Sequence, residues 1–403
     1  MTVAVVNNYY YVRGGAERVL FDDQAALESR GCRVLPFAAQ YPANLPSPLQ
    51  GLFPPNHDYC AARGWNRVRA AMEAVYSRRA GRAFAAFLDA AKPDAVHCHN
   101  IYGRLTTAIL DAARRRRIPV VLTVHDYKIV CPAYMMLRRG APCGCCTDGR
   151  YWRCLVNRCH KESYSGSLVY TLETYWNRLL GKYHSVSRFL CPSRFVAGML
   201  ARGGYPPSKL VHHPNAIPVE QYQVQYAPGD YALYTGRLSR EKGLPTLVAA
   251  FEGLGIPLKI AGDGPLRGEL ERRIAANPAG NVALVGHQSG EALARLIREA
   301  AFVVVPSEWY ENAPMTVLEA FGHGKPVLAA RIGGIPELVE DGENGALFPA
   351  GDRQALAQAA NRLWVDRPGL EQMGRSARRT VIVRHSREQR IAQLLEIYRE
   401  VGA

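Results

Sequence analysis

No run of 18 or more apolar residues occurs in the 403-residue sequence, so no segment reads as a membrane-spanning helix. The N-terminus, MTVAVVNNYY, lacks the basic start, apolar centre and small-residue cleavage site of a secretory leader, which predicts a soluble, cytosolic protein. Acidic residues are in short supply: 35 Asp and Glu stand against 50 Lys and Arg, for a formal charge of +15. The shortage is confined to one half. Residues 1–195 carry 27 basic and 13 acidic side chains, whereas residues 196–403 carry 23 and 22. An excess of +14 on one half predicts an anionic partner there, whether nucleic acid, membrane lipid or a phosphorylated substrate. The 48% of apolar and 21% of charged residues exclude disorder, collagen and small disulfide scaffolds, and the length allows two or three cores.

The opening VAVVN is a short apolar run that leads through Arg13-Gly14-Gly15 into a helical pattern. Further strand-like runs follow at CRVLPF, at 94–100, at 118–125 and at RFLCPS, with helical stretches between them. Continuous apolar strands alternating with helices predict a parallel sheet covered on both faces. A cysteine-rich insertion interrupts the pattern between about 126 and 163. After a Pro- and Gly-rich stretch from Tyr205 to Gly229 the alternation restarts, at 231–236, 257–264, 281–286, 301–307, 325–330 and 345–349. The expectation is an α/β chain of two doubly wound domains, 1–195 and 196–383, with a final helix 384–403 returning to the first. Ligand is expected in a cleft at the C-terminal ends of their strands.

Two segments carry chemistry. Gly236-Arg237-Leu-Ser-Arg240-Glu-Lys242-Gly243 lies where a strand ends and a helix begins. A phosphate there would meet backbone amides, the helix N-terminus and the cations Arg237 and Lys242; a solvated basic turn is the bland alternative. In Ser307–Pro326 a strand end, a loop, a Pro at the first helical position and a terminating Gly follow in order. Glu311 and Glu319, seven residues apart, fall in the loop and about two helical turns further on. One can bind sugar hydroxyls and the other a ribose diol; the alternative is an acid at the helix N-terminus and an exposed acid on the helix.

The Glu311/Glu319 pair, the GRLSREKG loop, AGDGP (261–265), GGIPELVEDGENG (333–345) and the N-terminal RGGAERV loop occur in one order. In these motifs the sequence resembles the retaining GT-B glycosyltransferases of family 4, over essentially the whole chain. The resemblance implies a GT-B fold in which residues 1–195 form an acceptor domain and 196–383 a nucleotide-sugar donor domain. It implies that Arg237 and Lys242 neutralise the departing donor diphosphate, that Glu311 binds the donor sugar, and that Asn312, Ala313, Pro314 and Met315 line sugar and phosphates. Glu319 would hold the ribose. Gly15, in the loop after the first strand, would let backbone approach the β-phosphate. His125 would lie against the donor sugar, its alternative being a core histidine. Within HCHNIYG (97–103), His99 and Asn100 are expected at donor or acceptor, with a His-x-His zinc pair as the competing reading.

The resemblance implies retention without a protein nucleophile, the leaving phosphate taking the acceptor proton; an inverting enzyme would need a base, for which Asp126 is the candidate. The absence of an Asp-x-Asp motif predicts that no catalytic metal holds the donor.

Six of the ten cysteines lie in the insertion. Cys131, Cys143, Cys146 and Cys159 follow a C-x11-C-x2-C-x12-C spacing compatible with a structural zinc site, and the same positions recur in a bacterial branch of family 4. Cys145 and Cys154 are extras, and free thiols or disulfides are the alternatives. The expected function is a retaining hexosyltransferase moving sugar from a nucleotide donor to a glycan acceptor, expected to be polyprenyl-diphosphate-linked, in surface polysaccharide synthesis. The alternatives are a GT-B epimerase, a phosphorylase or a zinc-containing nucleic-acid-binding protein; the last leaves two α/β domains unexplained, so no nucleic-acid partner is expected. With donor motifs in the near-neutral half, the basic half reads as facing acceptor and anionic membrane, through Arg63, Arg67, Arg69, Arg78, Arg79 and Arg82. That places the chain at the inner face of the cell membrane.

Overall fold

A computed structural model of the chain describes residues 1–56, 64–276 and 279–403. The chain divides into two compact units. One comprises Met1–Arg139, Cys143–Pro214 and Arg390–Ala403, the other Gly140–Pro142 and Asn215–Gln389.

The first unit is built on a six-stranded, all-parallel sheet. Read across it, the strands are Arg33–Phe37, Thr2–Val6, Ala95–Cys98, Val120–Thr123, Arg188–Cys191 and Leu210–His212. Val3, Ala4, Val5 and Val6 are all buried, as a central strand covered by helices on both faces requires. Five of these strands coincide with the apolar runs of the sequence. Leu210–His212 lies instead in the stretch expected to be a linker. It has only three half-buried residues, between Pro206-Pro207 and Pro214, so it offers no apolar run to read.

The domain boundary therefore moves. The expected break at 195/196 falls inside the helix Arg194–Arg202, and the units part at 214/215. Residues Arg390–Ala403, most of the final helix Arg387–Glu400, belong to the first unit.

The second unit repeats the plan. Its parallel strands run, across the sheet, Val282–Gly286, Leu258–Ala261, Ala232–Thr235, Phe302–Val305, Val327–Ala330 and Gly345–Phe348. Alternate side chains enter different cores. Phe302, Val304, Leu328 and Ala330 join one apolar cluster, and Val303, Val305, Val327 and Ala329 join the other. Both faces are thus filled, each fully buried Val or Phe contributing about 1.5–3 kcal/mol.

In this sheet the first strand in sequence, Ala232–Thr235, has the second strand on one side and the fourth on the other. The winding reverses between Ala232–Thr235 and Phe302–Val305. Ligands of doubly wound sheets bind outside the carboxyl ends of the strands at such a switch point. Here those ends carry Gly236–Gly243 and Pro306–Pro314. In the first unit the corresponding point lies between Thr2–Val6 and Ala95–Cys98.

Candidate active site

In the second unit the two loops at the switch point dock backbone to backbone. The Glu308 amide donates to the Glu241 carbonyl at 2.9 Å. Gly243 has φ +72°, and a Cβ on it would lie 1.8 Å from the Pro306 carbonyl oxygen, so this approach needs glycine. The docking brings Lys242 to Glu311, with Nζ 2.6 Å from Oε1. Ser307 Oγ donates to the same oxygen at 2.6 Å. Burial alone would raise the Glu311 pKa, but the Lys242 ammonium and the Ser307 hydroxyl outweigh it and hold the group below its ordinary value. Glu311 is therefore a buried, charged, preoriented carboxylate. Lys242 is one-quarter exposed and passes 5.2 Å from the Trp309 ring centroid.

The other donor-side residues are placed by the same loops. Arg237 is exposed, and its carbonyl accepts a hydrogen bond from the Tyr234 hydroxyl at 2.8 Å. Asn312, Ala313 and Pro314 are half-buried. Asn215 Nδ2 donates to the Ala313 carbonyl at 3.2 Å. Pro314 is the N-cap, and Met315 opens the helix Met315–Gly322, so the proline stands one position before its expected place. First-turn amides at Met315 and Thr316 lack carbonyls four residues back. Glu319 lies on this helix and is buried. Arg237, Lys242, Glu311 and the 312–315 turn are thus carried by the two loops of one switch point.

The sequence reading missed the supports. Ser307 orients Glu311, and Asn215 steadies the 313 carbonyl. Gly333 has φ +59°, and a Cβ there would stand 2.3 Å from the Glu311 carbonyl oxygen; the Gly334 amide donates to that oxygen at 2.8 Å. The GGIPELVEDGENG segment thereby fixes the Glu311 backbone. Two adjacent glycines after a strand were the signal available.

In the first unit Gly15 opens the helix Gly15–Ser29 rather than lying in the preceding loop. The Asn8 amide donates to the Asn100 carbonyl at 2.7 Å, and the Asn100 amide donates to Asn7 Oδ1 at 2.9 Å. Asn7 and Asn8, also missed, tie the first strand's end to 99–105. His99 Nδ1 and His125 Nε2 share a hydrogen bond of 2.8 Å, and the His97 ring stacks on His99 with centroids 4.5 Å apart. Tyr398 from the final helix bonds His97 Nδ1 at 2.7 Å, and Thr123 bonds its Nε2 at 2.7 Å. The buried His99 Nε2 and Asn100 Oδ1 have no protein partner, which leaves each able to bond a ligand. Asp126 accepts from the Lys128 amide at 2.9 Å, and burial pushes its pKa up to about 6.

Burial keeps these histidines neutral, lowering His97 to about 4 and His125 and His213 to about 3. Their folded values lie below the unfolded value of about 6.5. Between those limits the unfolded chain takes up protons that the folded one refuses, so stability is present above pH ~6.5 and declines as pH falls toward 4. Urea unfolding should show a lower midpoint at pH 5 than at pH 7.5; an equal or higher midpoint would contradict the neutral cluster.

All six insertion cysteines line one cavity, beside Met136. Cys143 and Cys145 sulfurs are 3.2 Å apart. A hydrogen bond from Cys159 brings the Cys154 pKa down to about 7, whereas burial pushes Cys131 up to about 12. Cys154, set aside as an extra, is fully enclosed, while Cys143 and Cys159 are half-buried. Among the described residues, no three His, Cys, Asp or Glu side chains stand as a group that could hold a metal ion.

Two doubly wound units with ligand-ready switch points define the GT-B class, and solved structures agree on this fold. The Anabaena protein HepE in complex with UDP and glucose superposes with a TM-score of 0.70, covering 99% of this chain and 100% of that one at 18% identity. Sucrose-phosphate synthase of Thermosynechococcus elongatus gives 0.73 over 99% and 98%, at 19% identity. The glycosyltransferase family 4 model matches residues 13–221, and that of glycosyl transferases group 1 matches residues 223–380. The chain belongs to glycosyltransferase family 4. Among curated relatives, the alpha-D-kanosaminyltransferase of Streptomyces kanamyceticus is 32% identical over 189 residues, 45% of this chain and 48% of that protein. The D-rhamnosyltransferase WbpZ of Pseudomonas aeruginosa is 30% identical over 187 residues, 46% and 47%. The matches span about half the length of these curated relatives.

Proposed function

We propose that the protein transfers a hexose from a nucleotide-sugar donor to a glycan acceptor, with retention of configuration, in surface polysaccharide synthesis. The observation that carries this reading is the Lys242–Glu311 pair at the second sheet's switch point. An ammonium and a carboxylate 2.6 Å apart offer one group to a diphosphate and one to sugar hydroxyls. As the bond to the donor sugar breaks, charge grows on the leaving diphosphate. Arg237, Lys242 and the amides at the start of Met315–Gly322 meet it with fixed positive potential. Glu311, held by Ser307, orients the sugar; the acceptor oxygen bonds to the anomeric carbon as the bond to the diphosphate breaks, and the diphosphate oxygen takes the acceptor proton on the same face. The donor class is supported by HepE, solved in complex with UDP and glucose. Polysaccharide synthesis is supported by relatives such as the O-antigen chain mannosyltransferase C of Escherichia coli. The acceptor we propose is lipid-linked, met at the inner face of the membrane; among the described residues no helix is long and apolar enough to cross one.

A thermal-shift screen of UDP- and GDP-sugars tests the donor class. A ligand at a hundred times its Kd should stabilise by about 2.7 kcal/mol. No shift with any nucleotide sugar would remove the reading.

We further propose that zinc draws the insertion cysteines, which line one cavity without standing as a preformed ligand group, into a structural site. Elemental analysis should find stoichiometric zinc. Metal-free protein with all thiols titratable would exclude it.

A further inference from the structure

The helix Tyr164–Leu179 is amphipathic the wrong way round for a soluble protein. Its buried residues are Gly166, Ser167, Thr171, Glu173, Thr174 and Asn177. The large side chains Tyr164, Leu168, Leu172, Trp176 and Leu179 are exposed instead, Leu179 by 80%. The charged and amide groups of the inner face are paired. Glu173 pairs with the buried Lys128 at 2.6 Å, and Asn177 Oδ1 accepts from Thr107 at 2.7 Å. The inversion is therefore built into the packing.

The apolar stripe does not stand alone. The helices Trp65–Val75 and Trp152–Val156 pack against this one. The first exposes Trp65, Val68 and Met72, spaced i, i+3, i+7 on one face, with Trp65 exposed by 85%; the second exposes Trp152 and Val156. Ten large apolar side chains, three of them tryptophans, thus face outward from this helix and the two that pack against it, far more than single scattered surface residues. Positive charge surrounds them. Residues 64–75 and 150–182 carry eight basic and three acidic side chains, and one of the three, Glu173, is neutralised inside. Arg158 lies over the Tyr164 ring at 5.2 Å and Arg153 beside the Trp152 ring at 5.9 Å, where their stems can lie along apolar surface while the charge stays in water.

We propose that this face of the first unit docks into the interface of an anionic lipid bilayer. Leu, Met and Val would enter the acyl boundary, Trp and Tyr sit at headgroup level, and Arg67, Arg69, Arg158 and Lys161 meet the lipid phosphates. Charge complementarity selects lipid over a second copy of this chain, whose identical face would bring like charges together. Arg67 and Arg69 lie on this face's first helix, Arg78, Arg79 and Arg82 on the next helix, Arg78–Ala91, and Arg63 lies outside the described residues. Docking at this face deepens the membrane side of the proposed function, and its experiment is read without sugar transfer.

The test is co-sedimentation of the full chain with vesicles of phosphatidylcholine alone or of equal parts phosphatidylcholine and phosphatidylglycerol. The wild type should pellet with the anionic vesicles and scarcely with the neutral ones, with a blue-shifted tryptophan emission on binding. Leu172→Glu combined with Trp176→Glu should cut the bound fraction at least tenfold, while thermal melting and donor nucleotide binding stay as in the wild type. Should that variant fail to fold, Trp65→Ala with Met72→Ala reads the neighbouring helix and should weaken binding in the same direction. Equal pelleting of wild type and folded variants would overturn this face as the docking surface and leave membrane association standing. No pelleting of the wild type with either vesicle would overturn the membrane reading as well, while nucleotide binding would still report on the donor site. A concentration-dependent dimer in light scattering, lost in the variants and unaccompanied by vesicle binding, would assign the face to a second copy and overturn the proposal.

Discussion

Glu311→Ala should reduce sugar transfer by a factor of about a hundred to a thousand, with little loss of thermal stability. The carboxylate is the best-supported group of the donor site: Lys242 and Ser307 both reach the same oxygen at 2.6 Å, and Gly333 and Gly334 fix its backbone. Such preorganisation is what transition-state stabilisation requires, and removing one preplaced group commonly costs 10²–10³ in rate, roughly 3–4 kcal/mol. Most of the stability should survive because the charged partner left behind, Lys242, is one-quarter exposed, so water can take over its solvation, and the buried Ser307 loses a single hydrogen bond. Glu311→Gln separates charge from shape. If orientation of sugar hydroxyls is the role, the amide retains part of the activity; if charge is the role, it behaves as alanine. Transfer by Glu311→Ala at the wild-type rate would remove the residue from the site.

The second large effect concerns folding. Asp23 and Arg390 form a bidentate pair at 2.6 and 2.7 Å with both side chains about 95% buried. Arg390 also donates to the His213 and Pro214 carbonyls. Burial would raise the Asp23 pKa, but the guanidinium outweighs it and holds the group below its usual value, so Asp23 stays charged at neutral pH. Arg390→Ala leaves that charge buried and unpaired, a defect worth about 3–5 kcal/mol, or a fall of roughly 6–20 °C in the first unit's melting temperature. Replacing both members, Asp23→Leu with Arg390→Met, should recover much of the loss, since a neutral apolar pair carries no desolvation penalty. An Arg390→Ala protein that melts like the wild type would show that the final helix is not anchored through this pair.

These two predictions differ in how far the sequence alone could have led to them. Glu311 was legible because a strand end, a loop and a capped helix are local patterns. The central strands were legible for the same reason, as at 302–305, where four consecutive apolar residues fill two cores. Asp23–Arg390 was not legible: its partners are 367 residues apart, and nothing in either neighbourhood marks a charge as buried. Ser307 and Gly334 escaped because their role is to hold another residue, and Leu210–His212 because three residues between prolines make no periodic signal. The helix 164–179 shows the limit of such patterns. Its periodicity identifies a helix, but a period reports that the faces differ and not which one turns inward; that depended on the burial of Lys128 against Glu173.

The central claim is that the loops at the second sheet's switch point bind the diphosphate of a nucleotide-sugar donor. Calorimetric titration of UDP and GDP into the wild type, Arg237→Ala and Lys242→Ala tests it most directly, because it reads binding apart from acceptor and chemistry. One nucleotide should bind the wild type at one site per chain, and each variant should lose about tenfold or more in affinity, as expected when a charge-assisted contact worth about 1.5–3 kcal/mol is removed. Binding by the variants at wild-type affinity, or no binding of either nucleotide to the wild type, would contradict it.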